Sequence, residues 1–86
     1  MPEISRFFGI VIAMYYNDHA PPHFHARYSG HEIRVTIESG EIMSGSLPQV
    51  ARKHMLEWLD LHRAELMEDW KLAEERKPLK KIKPLA

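Results

Sequence analysis

The residues best suited to chemistry in this sequence are three histidines in one short segment. His19, His23 and His25 belong to the run His-Ala-Pro-Pro-His-Phe-His. Side chains two positions apart on a β-strand project from the same face, about 6.5 to 7 Å apart. His23 and His25 can therefore converge on one metal ion or on one phosphate group if this segment is a strand.

One chemistry open to these histidines is metal binding. Imidazole nitrogens are common ligands of zinc and iron, and they bind zinc at about 2.0 to 2.1 Å. A third ligand can come from His19, Asp18 or Glu32. The sequence thus allows a divalent transition metal such as zinc as a cofactor, with His19, His23 and His25 as its candidate ligands.

The other chemistry is acid–base cleavage of RNA without a metal. One imidazole can remove the proton of a ribose 2′-hydroxyl while another protonates the leaving oxygen. His19, His23 and His25 are then the candidate catalytic residues. A third interpretation assigns them no chemistry, as solvated or hydrogen-bonded histidines on a polar sheet face.

Four basic residues are the candidates for binding RNA. Arg27 and Arg34 would meet a phosphate on the same face as the histidines, and guanidinium groups suit phosphate because they donate two parallel hydrogen bonds. Lys80 and Lys81 belong to a lysine-rich end that can attract the RNA backbone without sequence preference.

Length and composition limit the classes of protein to which the chain can belong. The sequence has 86 residues, with 12 Lys and Arg against 12 Asp and Glu, and no cysteine. Disulfides, thiolate zinc sites and a thiol nucleophile are therefore excluded. The longest apolar run, residues 7–16, is half as long as a membrane helix of about 20 residues, so we expect a cytoplasmic protein without membrane contact. So short a chain builds one modest core, which predicts a single domain over residues 1–86.

Residues 1–45 are predicted to form mainly β-structure. Residues 7–16 are apolar and rich in β-branched and aromatic side chains, which is typical of a central strand covered on both faces. A two-residue turn at residues 29–30 is predicted to join the next two strands. Its register pairs Phe24 with Val35 and leaves the histidines on the opposite, polar face.

The segment after this hairpin is predicted to add a short fourth strand and then helices. Ile42 is expected opposite Ile37 in that strand. Residues 46–76 are predicted to be helical, with Ser46 opening a capping box. One unbroken helix would exceed the diameter of so small a domain, so two helices are favoured, with a turn near residues 61–63.

These elements predict an α+β domain, in which a small antiparallel sheet of three or four strands is followed by two helices packed on one face. The apolar helical stripe around Val50, Trp58, Leu66 and Trp70 is expected to cover the sheet. Residues 77–86 form a basic C-terminal arm, either docked on the domain or loose.

The sequence resembles a small bacterial family, the domain of unknown function 4160, over nearly its whole length. The resemblance is carried by residues 4–12, Met14-Tyr15-Tyr16-Asn17-Asp18-His19, Pro21-Pro22-His23-Phe24-His25-Ala26, Gly45-Ser46-Leu47-Pro48, Trp58, His62-Arg63, Glu65-Leu66, Trp70 and residues 77–82. His19, His23 and His25 carry over from the family pattern, whereas Arg27 stands where similar proteins are expected to have an acidic residue.

The resemblance also implies a partner. Genes of such proteins are often found beside one for another small domain, in a layout similar to that of toxin–antitoxin modules, and some relatives carry a transcriptional-regulator label. We therefore expect one component of a two-gene module, with a small protein partner encoded nearby or with a second copy of itself as a homodimer. The preferred activity is RNA binding or cleavage by the histidine face. The alternative is a noncatalytic interaction or regulatory subunit, with structural or metal-binding histidines.

Overall fold

The structure is a computed structural model that describes residues 2–85. These residues form β1 (Glu3–Phe7), β2 (Ile10–Ala13), β3 (His23–Tyr28), β4 (His31–Thr36), β5 (Ile42–Ser44) and the helix α1 (Gln49–Glu74). Each strand pairs antiparallel with the next, in the order β1-β2-β3-β4-β5. The predicted α+β class is confirmed, but in the described residues the sheet has five strands and one kinked helix replaces the expected two.

The additional strand arises because the apolar run of residues 7–16 turns back on itself. Phe8 and Gly9 both have positive φ angles, 48° and 78°. Two such residues form the type I′ turn that closes a two-residue hairpin, and Phe7 accordingly pairs with Ile10. The prediction of one central strand over residues 7–16 is therefore wrong, and β3 lies at the centre of the sheet instead.

The hairpin of β3 and β4 has the predicted register. Phe24 pairs with Val35, and Tyr28 pairs with His31 on either side of the two-residue turn. Phe24 and Val35 are buried in the core. Since successive side chains alternate between faces, His23 and His25 project from the opposite face of β3.

The next turn differs from the prediction by two residues. Ile42 pairs with Val35 and not with Ile37, and the ladder is irregular at this point. The reason is a longer loop: the Thr36 N–H donates to the Glu41 carbonyl at 2.9 Å, which ends the ladder at Thr36. Ile37 leaves the ladder and is buried in the core.

The helix begins at Gln49 with Pro48 as its N-cap, and within residues 2–85 no side chain caps it. The predicted capping box of Ser46 is therefore wrong. Proline disfavours helical conformation in the residue before it, so the helix cannot extend back towards Ser46. His62 has non-helical angles, φ −126° and ψ 22°, which kink α1 where the break between two helices was expected. No helix in the described range is long and apolar enough to cross a membrane.

The core lies between α1 and the apolar face of the sheet. Trp58 is fully buried there, with its ring centroid 5.3 Å from that of Phe7 and 6.0 Å from that of Phe24. Val50 differs from Trp58, Leu66 and Trp70, the other members of the predicted helical stripe, because 66% of its surface is exposed. The prediction that Val50 faces the sheet is therefore wrong.

The C-terminal arm is docked on the domain as far as residue 85, the last that the structure describes. Ile82 is buried, and its N–H donates to the Ile4 carbonyl at 2.8 Å on the outer strand β1. The indole N–H of Trp58 donates to the Lys83 carbonyl at 2.9 Å. The arm thus ties α1 to β1 and covers part of a strand edge that would otherwise invite pairing with another chain.

Two glycines provide a matched test of this packing. Gly30 and Gly45 have similar φ angles, 83° and 81°, but a Cβ at Gly30 meets no atom within 4 Å, whereas one at Gly45 overlaps the backbone carbonyl of Glu32. We expect Gly30→Ala to lower the free energy of unfolding by about 1 to 2 kcal/mol through left-handed strain alone. Gly45→Ala should lower it by about 2 to 4 kcal/mol, because overpacking adds to the strain. Equal losses in urea unfolding would contradict the close approach at Gly45.

Candidate metal-binding site

The candidate site is formed by the β2–β3 loop and the start of β3. His23 and His25 project from the same face of β3. The loop carries Asp18, whose neighbour Asn17 has a positive φ of 61°. The Asp18 Oδ1 accepts a hydrogen bond from the His19 N–H at 3.0 Å, which leaves Oδ2 free to face the histidines.

Asp18, His23 and His25, the triad, bring three ligand atoms together. Nε2 of His23 lies 2.9 Å from Asp18 Oδ2, and Nε2 of His25 lies 3.2 Å from the same oxygen. One ligand atom from each residue falls within 4.8 Å of the other two. The two imidazole rings are 5.3 Å apart between centroids. Two nitrogens and a carboxylate oxygen therefore converge on a common point.

The tautomer of His23 follows from the contact of its second ring nitrogen. Nδ1 lies 2.8 Å from the Pro21 carbonyl oxygen, which can only accept, so Nδ1 carries a proton and donates it. In a neutral imidazole Nε2 then has a lone pair, directed at a carboxylate oxygen. Two such atoms at 2.9 Å repel each other unless a cation interacts with both. That cation is either a proton between the two atoms or a metal ion.

Asp18 is suited to be the negatively charged ligand of the triad. Partial burial raises the pKa of Asp18, but the hydrogen bond with His25, the His19 N–H and the interaction with His23 outweigh burial, so the pKa lies below its usual value. Asp18 is therefore an ionised carboxylate at neutral pH, as a metal ligand must be.

The ring of His25 has polar and aromatic side chains around it. Its side chain is 10% exposed, and its Nδ1 lies 3.4 Å from Glu32 Oε2 on β4. Arg27 Nε lies 3.3 Å from the other oxygen of Glu32, and Arg27 also donates to the Tyr15 hydroxyl at 2.9 Å. The Tyr15 ring meets the His25 ring edge to face at 4.3 Å. Nδ1 of His25 makes no hydrogen bond within the described residues, so Glu32 stands near the ring at an ion-pair distance only. A carboxylate that does bond this nitrogen orients the ring of a ligating histidine in metal sites.

A pocket of about 290 Å³ lies beside the triad. It is lined by Tyr15, Asn17, Asp18, Trp70, Ala73 and Glu74. Asp18 belongs to the triad, the Tyr15 ring contacts His25, and the Trp70 ring lies 5.3 Å from the ring of His23. The pocket therefore adjoins the triad through Asp18, whereas both histidines are buried and lie behind its lining.

The structure separates the residues that the sequence groups together. His23 and His25 converge as predicted, but His19 is exposed and lies outside the cluster. Asp18 takes its place, one of the three possible third ligands, whereas Glu32 stands behind His25. The sequence could not choose among the three, because the choice depends on the path of the loop.

The four basic candidates are distributed over two parts of the molecule. Arg27 interacts with Glu32 and Tyr15 near the triad. Arg34 pairs with His25 across the strands, and its Nε–H donates to Ser44 Oγ at 3.1 Å. The lysines lie on the docked arm, where Lys80 pairs with Glu68 at 2.8 Å and Lys81 donates to the Glu3 carbonyl at 2.6 Å.

The chain is thus a small α+β domain with a candidate metal centre. Its fold is a five-stranded meander with one helix, and two histidines and an aspartate lie beside a pocket. The model of the domain of unknown function DUF4160 matches residues 9–71, and the chain belongs to this family. The match contains the whole triad and confirms the resemblance seen in the sequence. No curated protein and no solved structure gives a significant match.

Proposed function

We propose that the triad is the binding site of a divalent transition metal, with zinc as the best fit. The observation that carries this proposal is the convergence of both Nε2 atoms on Asp18 Oδ2, while the Nδ1 of His23 donates to a backbone carbonyl. A hydrogen bond from the far ring nitrogen to a carbonyl or carboxylate fixes the tautomer of ligating histidines in zinc proteins. One ion would satisfy all three inward-facing atoms.

The number of ligands favours a reactive metal over a structural one. Structural zinc sites are closed by four protein ligands, whereas catalytic sites have three and leave a position for water or substrate. The triad supplies three, and Asp18 lines the pocket through which water or a substrate would arrive. A metal bound here would acidify a coordinated water, which suits hydrolytic chemistry.

Acid–base cleavage of RNA receives less support from this geometry. His23 and His25 are buried, so a ribose would have to reach them through the pocket. The described residues that line it include two carboxylates, Asp18 and Glu74, and neither Lys nor Arg. An RNA phosphate would meet negative charge there. RNA binding, the toxin–antitoxin-like module and its small protein partner remain predictions.

The test of the metal site is zinc affinity measured on the full chain after stripping with a chelator. We expect the wild type to bind about one equivalent of zinc. His25→Ala and Asp18→Asn should weaken binding by more than about 100-fold, beyond the 10- to 100-fold typical of residues that only support a ligand. His19→Ala is the matched control, because His19 is a histidine of the same segment outside the triad. It should change the affinity by less than about twofold.

Three results would decide against the proposal. The wild type could show no affinity for zinc, or His19→Ala could lose as much zinc affinity as His25→Ala. The third result is cleavage of single-stranded RNA by the metal-stripped chain. The last of these would favour the acid–base alternative. Circular dichroism of each variant shows whether a lost affinity comes from a lost fold.

A further inference from the structure

The pocket beside the triad combines two carboxylates with two aromatic rings in its lining. Asp18 is the carboxylate next to both histidines. Tyr15 and Trp70 provide the aromatic surface, and Trp70 is 4% exposed. Glu74, an exposed residue in the last turn of α1, is the second carboxylate. One of the two carboxylates therefore belongs to the triad and the other does not.

Glu74 is not engaged with a cation of its own chain. Its neighbour Glu75 pairs with Lys77 at 3.2 Å, and Glu68 pairs with Lys80 at 2.8 Å. Glu74 has no such ion pair within residues 2–85, and it lies outside the triad of ligand atoms. Its negative charge is thus available to a ligand in the pocket and is not needed to hold the metal.

A metal on the triad would give the pocket two groups of opposite charge. A divalent ion with one carboxylate and two neutral imidazoles leaves a net charge of about +1 at the triad. Glu74 supplies a carboxylate elsewhere in the same lining. Aromatic faces such as those of Tyr15 and Trp70 attract cations as well as apolar groups. A volume of about 290 Å³ is near the lower limit of ligand pockets, so the occupant must be small.

We infer that the metal-loaded pocket binds a small zwitterion, with its carboxylate on the open metal position and its ammonium group at Glu74. This inference rests on the proposed metal site and names the class of ligand which that site would take. The aromatic rings of Tyr15 and Trp70 flank the carbon chain between the two charged groups. A plain anion would engage only the metal, and a plain amine would engage only Glu74.

The experiment is calorimetric titration of the zinc-loaded full chain with three probes of similar size. These are 4-aminobutyrate, which has both charged groups, butyrate, which has no amine, and butylamine, which has no carboxylate. We expect 4-aminobutyrate to bind about 10-fold more tightly than butyrate, since a hydrogen bond to a charged group has roughly this effect. Butylamine should bind most weakly.

Two neighbouring glutamates provide the matched variants. Glu74→Gln should reduce the affinity for 4-aminobutyrate to that for butyrate and leave zinc and butyrate binding unchanged. Glu75→Gln should change none of the three affinities, because Glu75 pairs with Lys77 and does not line the pocket.

The outcomes separate this inference from the metal site on which it depends. If zinc binds but butyrate equals 4-aminobutyrate, the ammonium site at Glu74 is wrong and the metal site stands. If butylamine equals or exceeds 4-aminobutyrate, the pocket is a simple cation site and the inference is again wrong. If the wild type binds no zinc, both proposals fail.

Discussion

Replacing Trp58 with alanine is expected to lower the free energy of unfolding by about 3 to 5 kcal/mol, the usual cost of truncating a buried aromatic side chain. Trp58 is fully buried and its ring packs against those of Phe7 and Phe24, so the substitution opens a cavity between helix and sheet. It also removes the indole N–H that donates to the Lys83 carbonyl. Denaturant unfolding measures the loss, and Trp70 remains as the fluorescent probe.

Two further variants separate the contributions to this loss. Trp58→Phe keeps an aromatic ring in the core but leaves the Lys83 carbonyl without its donor, and it should cost less than the alanine variant. Leu61→Ala removes an apolar side chain from the same helix at a position that is 67% exposed, and it should change stability by less than about 0.5 kcal/mol. A loss at Leu61 comparable with that at Trp58 would mean that the helix is oriented differently.

The β3–β4 hairpin shows what a sequence of this length can predict. Apolar and polar residues alternate on both sides of Ser29-Gly30, and a slip by one residue would move every apolar side chain to the other face. The register that pairs Phe24 with Val35 is therefore strongly specified, and the structure confirms it. The same alternation places His23 and His25 on one face of β3.

The first hairpin shows where the pattern carries too little information. Residues 7–16 contain no polar residue that would mark a turn, and the signal for one is Gly9 alone. Phe8 adopts a positive φ of 48°, which is unusual for a bulky side chain. Pairing of β1 with β2 and packing of Phe7 against Trp58 stabilise this conformation, and both depend on tertiary structure. Local propensity could not show it.

The third member of the site was unpredictable for a related reason. Asp18 and His19 are adjacent in sequence and are both common metal ligands, so spacing cannot rank them. The loop decides between them, because the His19 N–H donates to Asp18 Oδ1 and the other oxygen of Asp18 then faces the two imidazoles. Loops have no periodicity from which such an orientation follows. The ligands in the proposed metal site are therefore two histidines and a carboxylate, whereas the sequence offered three histidines as candidates.

Zinc is expected to raise the free energy of unfolding of the wild-type chain by about 4 kcal/mol when its free concentration is 1,000 times its dissociation constant. The ligand atoms come together only in the folded chain, because Asp18 lies on a loop and both histidines on β3. Zinc should therefore bind the folded state much more tightly than the unfolded one. Urea unfolding with zinc and with a chelator measures the difference.

The stabilisation by zinc should depend on whether the substituted residue binds the metal. His23→Ala should abolish the stabilisation and His19→Ala should preserve it, since only His23 belongs to the triad. Glu32→Gln should reduce the stabilisation by about 1.4 to 2.7 kcal/mol, which corresponds to the 10- to 100-fold loss of metal affinity expected for a residue behind a ligating histidine.

The stabilisation by zinc should also shrink as the pH is lowered, because zinc and protons compete for the imidazole nitrogens. Equal unfolding curves with zinc and with chelator at neutral pH would mean that the triad of the folded chain does not bind zinc.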